Sequence, residues 1–191
     1  MNASRKGRLV VISGPSGVGK SSIVDAVLAR TDARFSVSAT TREPRPGEVD
    51  GVDYTFLARD EFVALRDRGD ILEWAQYGGN LYGTPRDAVL PLVEAGFDVI
   101  LDIENEGAKQ IRAAYPEALM VFVRPPGLEE LTQRLERRGD TSQADIERRL
   151  GVAGTQIAEA DELYDHVVIN ADLEDAITQV IGILNKVPDQ P

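Results

Sequence analysis

At 191 residues the chain is long enough for one compact unit with subdomains and a full hydrophobic core. It has no cysteine, which excludes a disulfide framework and any cysteine-based zinc site. Its formal charge of −11, from 32 acidic and 21 basic residues, disfavours nucleic acid and anionic membrane surfaces as partners.

No apolar run approaches the ~18 residues of a membrane span. Arg5, Lys6 and Arg8 precede an apolar run, as in a signal peptide, but Leu9-Val10-Val11-Ile12 is far shorter than the roughly 7–15 residues such a segment needs. A cytoplasmic protein is expected. That β-branched run instead predicts a buried strand, and Ile23, Val24, Val27 and Leu28 predict a helix to about Arg30. Between them, Gly14-Pro15-Ser16-Gly17-Val18-Gly19-Lys20-Ser21 fits G-x-x-x-x-G-K-[ST] in its proper strand-to-helix context. The glycines let backbone N–H groups and the helix N-terminus converge on one anion. Lys20 can reach terminal phosphates, Ser21 can place a hydroxyl on Mg²⁺, and Ser22 completes the expected ATP-binding stretch. The alternative is a glycine-rich turn without chemistry; the flanking elements favour a nucleoside triphosphate site.

From Phe35 to Gly83 the pattern changes to short extended pieces, turns and aromatics, with one helix near Asp60–Asp67. Residues 35–84 read as an insertion of mostly strand and loop. Thr84-Pro85 then predicts a helix start, with Thr84 as N-cap and Asp87 closing a capping box, ending near Gly96. Phe97–Leu101 is a predicted strand, Gly107–Ala114 a helix, and Leu119–Val123 another continuous apolar strand. The next helix turns Leu128, Leu131 and Leu135 inward. After a polar break at Gly139–Gln143, where Ser142 and Asp145 form a further capping box, a long helix carries Ile146, Leu150, Ala153, Ile157, Ala160 and Tyr164. Val167–Ile169 is the last strand, and an amphipathic helix runs from Leu173 to Leu184. Continuous apolar strands alternating with helices imply an α/β fold, a parallel sheet covered on both faces, with ligands at the carboxyl ends of the strands.

Arginines gather at Arg42 and Arg45, spaced T-R-E-P-R, and at Arg134, Arg137, Arg138, Arg148 and Arg149 around the polar break. A solvated face is the ordinary reading of any one of them. Bracketing turn-rich segments in an acidic P-loop protein, they also suit paired phosphate oxygens. Asp102 ends a core strand, either as the acid that holds a metal or its water, or as a helix-capping carboxylate. Glu73 lies on Ile71-Leu72-Glu73-Trp74, and alternation leaves open whether it or Trp74 faces inward. His166, the only histidine, reads as structural, and core packing is the default for Tyr54 and Tyr82.

Several segments together resemble the guanylate kinase family, which phosphorylates GMP with ATP. They are Ser36-Val37-Ser38-Ala39-Thr40-Thr41-Arg42-Glu43-Pro44-Arg45-Pro46-Gly47-Glu48, Gly51-Val52-Asp53-Tyr54, Glu73-Trp74-Ala75, Gly79-Asn80-Leu81-Tyr82-Gly83-Thr84 and Leu101-Asp102-Ile103. The likeness covers essentially the whole chain. It implies a five-stranded P-loop core of residues 1–34 and 85–191, a GMP-binding insertion of residues 35–84 and a lid at about residues 137–148. It implies a phosphate clamp of Arg42, Arg45, Tyr54 and Tyr82, and a guanine pocket of Ser38, Glu73, Thr84 and Glu104. Asp102 is then the acid beside Mg²⁺, Arg134, Arg138 and Arg149 are lid arginines, and Asn170 lies near adenine. The implied substrates are ATP with GMP and dGMP, with Mg²⁺ as cofactor.

Elementary chemistry agrees with guanine as the base. Its N1–H and exocyclic amine are neighbouring donors that suit acceptor-only carboxylates, while a hydroxyl can donate to O6. The GMP phosphate is already an anionic nucleophile, so transfer needs positioning and charge neutralisation rather than a general base. Where the family commonly reads D-x-Q-G after the strand, this chain has Glu104-Asn105-Glu106-Gly107, which lengthens one acid and adds another. Two alternatives stay open: a non-catalytic guanylate-kinase-like module binding phosphorylated peptides, which the intact Lys20 and Ser21 oppose, and a P-loop kinase acting on AMP, dTMP or a sugar phosphate.

Overall fold

The computed structural model describes residues 6–137 and 143–186. The elements run β1 (Leu9–Ser13), α1 (Lys20–Arg30), β2 (Arg34–Phe35), β3 (Ala39–Thr40), β4 (Thr55–Phe56), α2 (Arg59–Asp67), β5 (Ile71–Tyr77) and β6 (Asn80–Pro85). They continue with α3 (Leu90–Glu94), β7 (Val99–Asp102), α4 (Asn105–Ala114), β8 (Leu119–Arg124), α5 (Leu128–Arg137), α6 (Gln143–Leu163), β9 (His166–Ile169) and α7 (Leu173–Leu184). The fold is α/β. Five strands form one sheet in the order β2-β7-β1-β8-β9, and its β2–β7 and β8–β9 pairs are parallel. The fifth strand, β2, is two exposed residues, too short and too polar to read as a core strand from its own pattern. The chain divides into two compact units, Met1–Val11 with Ala33–Ala118, and Ile12–Asp32 with Leu119–Pro191.

The first unit carries a four-stranded sheet in the order β4-β3-β6-β5, with β3–β6 and β5–β6 antiparallel. Helix α2 closes one face of it: Phe62, fully buried, meets Ala39, Ile71 and Leu81, with Leu57, Leu65 and Trp74 around them. Truncating such a phenylalanine costs about 3–5 kcal/mol, so this small sheet depends on a single aromatic plug.

Here one expectation is overturned. Thr84 and Pro85 do not open a helix; they end β6, where Pro85 stands opposite Ile71. The Thr84 hydroxyl is spent on the Glu73 carboxylate at 2.6 Å instead of on a backbone N–H. The helix that follows is only Leu90–Glu94, and the proline in its first turn is Pro91.

In the second unit β8 is buried from Met120 to Val123. Leu131 and Leu135 of α5 pack with Ile146, Leu150 and Ala153 of α6. Leu128 and Leu173, expected inward, are instead 48% and 41% exposed, because each is the first residue of its helix and has no preceding turn to lie against. Helix α7 is capped by Asp172, whose Oδ1 accepts the Asp175 N–H at 3.1 Å. Ser142 of the expected capping box lies outside the described residues, and Asp145 pairs with Arg148 at 2.9 Å. Among the described residues no helix is long and apolar enough to cross a membrane.

Candidate active site: a donor cradle and an acceptor pocket

In the second unit the chain leaves β1 through Gly14 and enters α1 at Lys20. Gly19 takes φ 95° at the N-cap, a left-handed conformation open to glycine, and a Cβ there would press on the Asn170 amide. Gly14 is needed for a different reason: a Cβ would collide with the Val123 carbonyl of β8. The loop between them is braced by two side chains. The Val18 carbonyl accepts from Asn170 Nδ2 at 2.7 Å and from Arg134 Nη1 at 3.2 Å, while Arg134 Nη2 donates to the Asn170 carbonyl at 3.0 Å. Glu130 holds Arg134 Nε at 3.0 Å. Arg149 on α6 reaches Ser16 Oγ at 3.4 Å.

Of the residues expected at the triphosphate, Gly14, Pro15, Ser16, Gly17, Val18, Gly19, Arg134, Arg149 and Asn170 are thus gathered in one unit with Lys20, Ser21 and Ser22 at the start of α1. Arg138 lies outside the described residues. Arg134 is half-buried and bonded to backbone carbonyls, so its charge stiffens the cradle as well as adding positive potential. Ser21, exposed in the first turn of α1, offers a hydroxyl oxygen of the hard kind that suits Mg²⁺. Among the described residues no group of three His, Asp or Glu could hold a metal by itself, so phosphate oxygens would have to complete such a site.

The first unit holds the other expected residues. Arg42 Nη1 and Nη2 donate to the two Glu48 oxygens at 2.9 and 2.8 Å, and Nη1 also donates to the Glu43 carbonyl at 2.7 Å. Its guanidinium lies 5.4 Å from the Tyr54 ring centroid and 5.7 Å from that of Phe56. Tyr54 meets Tyr82 edge-on at 6.1 Å, and Tyr82 hydrogen-bonds Arg42. Burial, with the nearby Tyr82, Asp102 and Glu48, pushes the Tyr54 hydroxyl upward against the pull of Arg42, so it stays a neutral donor. Glu48 is held below its ordinary value, first by its bonds to Arg42 and then by the Arg45 backbone N–H at 2.7 Å. Arg45 itself is exposed.

Glu73 is 4% exposed, which settles the orientation that alternation left open. Its Oε1 accepts from Thr84 Oγ1 at 2.6 Å, and its Oε2 lies against Gly107, where any Cβ would collide with it. Desolvation raises this carboxyl, while hydrogen bonds from the Thr84 side chain and backbone pull the other way. Ser38 is half-buried just before β3, with its carbonyl accepting from Thr55 N–H at 2.9 Å. Asp102, half-buried, ends β7, and Glu104 is exposed at the N-cap of α4. The additional acid Glu106 is 73% exposed and matched by Lys109 Nζ at 2.8 Å, so its charge is answered on its own helix. The geometry therefore joins Arg42, Tyr54 and Tyr82 in one group, to which the Arg45 backbone N–H is tied through Glu48, and Glu73 with Thr84 in another; Ser38 stands just before β3 and Glu104 at the N-cap of α4.

Sequence reasoning gave no role to Glu48, Gly107 or Gln110. Glu48 was the findable one: an acid six residues from Arg42 inside a turn is a natural partner for it. Gly107 and Gln110 touch β5 from a distant helix, and nothing local in the sequence marks them.

A family model described as guanylate kinase matches residues 6–187. The guanylate kinase of Rubrobacter xylanophilus is 50% identical over 184 residues, spanning 96% of this chain and 96% of that protein. That of Desulfitobacterium hafniense is 44% identical over 179 residues, spanning 93% and 89%. The crystal structure of guanylate kinase from Anaplasma phagocytophilum superimposes with a TM-score of 0.77 at 34% identity, covering 95% of this chain and 86% of that one. An intact phosphate cradle in one unit and a buried carboxylate with an arginine–tyrosine group in the other are thus found in a chain alike in sequence and fold to these enzymes. The chain belongs to the guanylate kinase family, nucleoside monophosphate kinases whose reaction is phosphoryl transfer from ATP to GMP.

Proposed function

We propose that this chain moves the γ-phosphoryl group of ATP to GMP, and also to dGMP, in the cytoplasm with Mg²⁺ on the triphosphate. The observation that carries the choice of base is Glu73: a buried carboxylate, held by Thr84 on one oxygen, is an acceptor-only group of the kind that suits guanine's N1–H and exocyclic amine. Adenine would place its N1 lone pair against that carboxylate, a mismatch that buried polar sites punish by about 10⁴-fold. Ser38 and Thr84 complete the base pocket with Glu104, and Arg42, Arg45, Tyr54 and Tyr82 hold the GMP phosphate. Since base edge and 5′-phosphate are what these residues read, loss of the 2′-hydroxyl matters little.

The acceptor phosphate oxygen attacks as an anion, so the chain's work is alignment and charge neutralisation. The P-loop N–H groups from Gly14 to Ser22 and the Lys20 ammonium hold the β- and γ-phosphates. Arg134, Arg138 and Arg149 face the charge that spreads over the migrating group, and Asn170 borders the adenine. Mg²⁺, when bound, offsets phosphate charge; Ser21 would hold it directly and Asp102 through a water. The insertion of residues 35–84 and the lid near 137–148 close over the core, residues 1–34 and 85–191, excluding water that would hydrolyse ATP.

A coupled assay offering ATP with GMP, dGMP, AMP and dTMP in turn tests this reading. GMP and dGMP should turn over, with AMP and dTMP lower by at least about 10³-fold. Comparable use of AMP would overturn the pocket assignment, and no turnover with any acceptor would point to a phosphopeptide-binding module.

A further inference from the structure

Strand β5 is an edge strand, and its pairing with β6 slips by one residue at the point where Glu73 stands. Ile71 faces Pro85 and Trp74 faces Gly83, so Leu72 and Glu73 both stand opposite Thr84. Such a bulge re-aims a side chain at the cost of local ladder bonds, leaving the strand free to settle in more than one register unless something holds it. On the side of β5 away from β6, the amide of Gln110 from α4 does the holding. Its Oε1 accepts the Trp74 N–H at 3.1 Å and its Nε2 donates to the Trp74 carbonyl at 2.8 Å. An amide presents donor and acceptor side by side, so this one side chain pairs with Trp74 as a neighbouring strand would. Gln110 Nε2 is itself steadied by the Glu106 carbonyl at 3.1 Å, and Gly107, one turn away, lets α4 press close against the Glu73 carboxylate.

We propose that Gln110 is a positioning residue for base selection: by clamping the Trp74 peptide it locks the β5 bulge and sets where the Glu73 carboxylate meets the base. The inference rests on the reading of Glu73 as the group that accepts from guanine. Gln110 touches neither nucleotide in this account, so its removal should alter discrimination between bases while leaving donor binding and phosphoryl transfer nearly intact.

The experiment compares GMP with IMP, which lacks only the exocyclic amine, in wild type, Gln110→Met, Glu73→Gln and the double variant, all at saturating ATP. Gln110→Met keeps length and helix preference but removes both hydrogen bonds. It should lower the GMP-to-IMP ratio of kcat/KM by about tenfold, the size of one misplaced hydrogen-bonded contact, with kcat and the KM for ATP within about twofold of wild type. Glu73→Gln should lower the ratio by about 10²-fold, and the double variant should be no worse than Glu73→Gln, because Gln110 acts through Glu73. An unchanged ratio in Gln110→Met, an equal loss for GMP and IMP, or a double variant showing the sum of both effects overturns the proposal. If Glu73→Gln keeps the full ratio, the reading of Glu73 itself fails; if it loses the ratio while Gln110→Met does not, only the role of Gln110 fails. Should Gln110→Met lack a cooperative melt, Gln110→Glu keeps the acceptor for the Trp74 N–H, opposes a carboxylate to the Trp74 carbonyl, and is held to the same ratios.

Discussion

The two units hold the residues proposed for phosphate and base recognition by different means. In the second, the cradle is made of main chain: consecutive residues, two glycines without room for a Cβ, and a helix N-terminus, braced by Asn170 and Arg134 on the Val18 carbonyl. In the first, the candidate residues are side chains brought from the segment between β3 and β4, from β5, β6 and α4, and several need a partner to hold them: Arg42 by Glu48, Glu73 by Thr84, Trp74 by Gln110. A backbone site tolerates change at its variable positions because N–H groups are common to nearly all residues. A side-chain site is only as well placed as its supports.

Three variants press on that contrast. The largest effect belongs to Lys20→Ala, which removes the cationic side chain proposed to hold the β- and γ-phosphates. Turnover should fall by about 10³-fold while the melting temperature stays at the wild-type value. A large drop in melting temperature would mean that Lys20 supports the fold rather than the phosphates. Next comes Arg134→Ala, which strips two charged hydrogen bonds from the cradle's supports. With that side chain 22% exposed and partly screened, the loss should be about 2 kcal/mol, read as a melting temperature lower by roughly 4–8 °C together with a higher KM for ATP. Slowed turnover at an unchanged melting temperature would make Arg134 a lid residue alone.

The smallest effect concerns Glu73 in stability rather than catalysis. Burial raises its carboxyl in the folded chain, so between the unfolded value near 4.5 and the raised value the native state holds a proton that the unfolded chain has released. Stability therefore falls as pH rises through that window, and the cost remains in full above it. Glu73→Gln removes that cost: at pH 8 it should melt above wild type, and the margin should shrink toward pH 4. A margin that stays constant across pH would show that the gain is not one of ionisation.

Sequence alone determined everything that depends on neighbours in the chain: the phosphate cradle between a β-branched strand and an amphipathic helix, the long apolar strands, and helix α2 within a residue of its bounds. It also showed which residue types were available for guanine, because a carboxylate's chemistry does not depend on where it lies. Tertiary structure decided the rest. Thr84 and Pro85 have the local signature of a helix start, yet the buried Glu73 claims the threonine hydroxyl and pairing with β5 holds both residues extended. The two exposed residues of β2 become a sheet strand only because β7 lies alongside them. Whether Glu73 or Trp74 points inward, why position 107 is glycine, and what Gln110 does all turn on α4 meeting an edge strand more than thirty residues earlier in the chain. Short-range patterns record propensity and periodicity; a one-residue slip between strands, and the helix that holds it, exist only once the chain is packed.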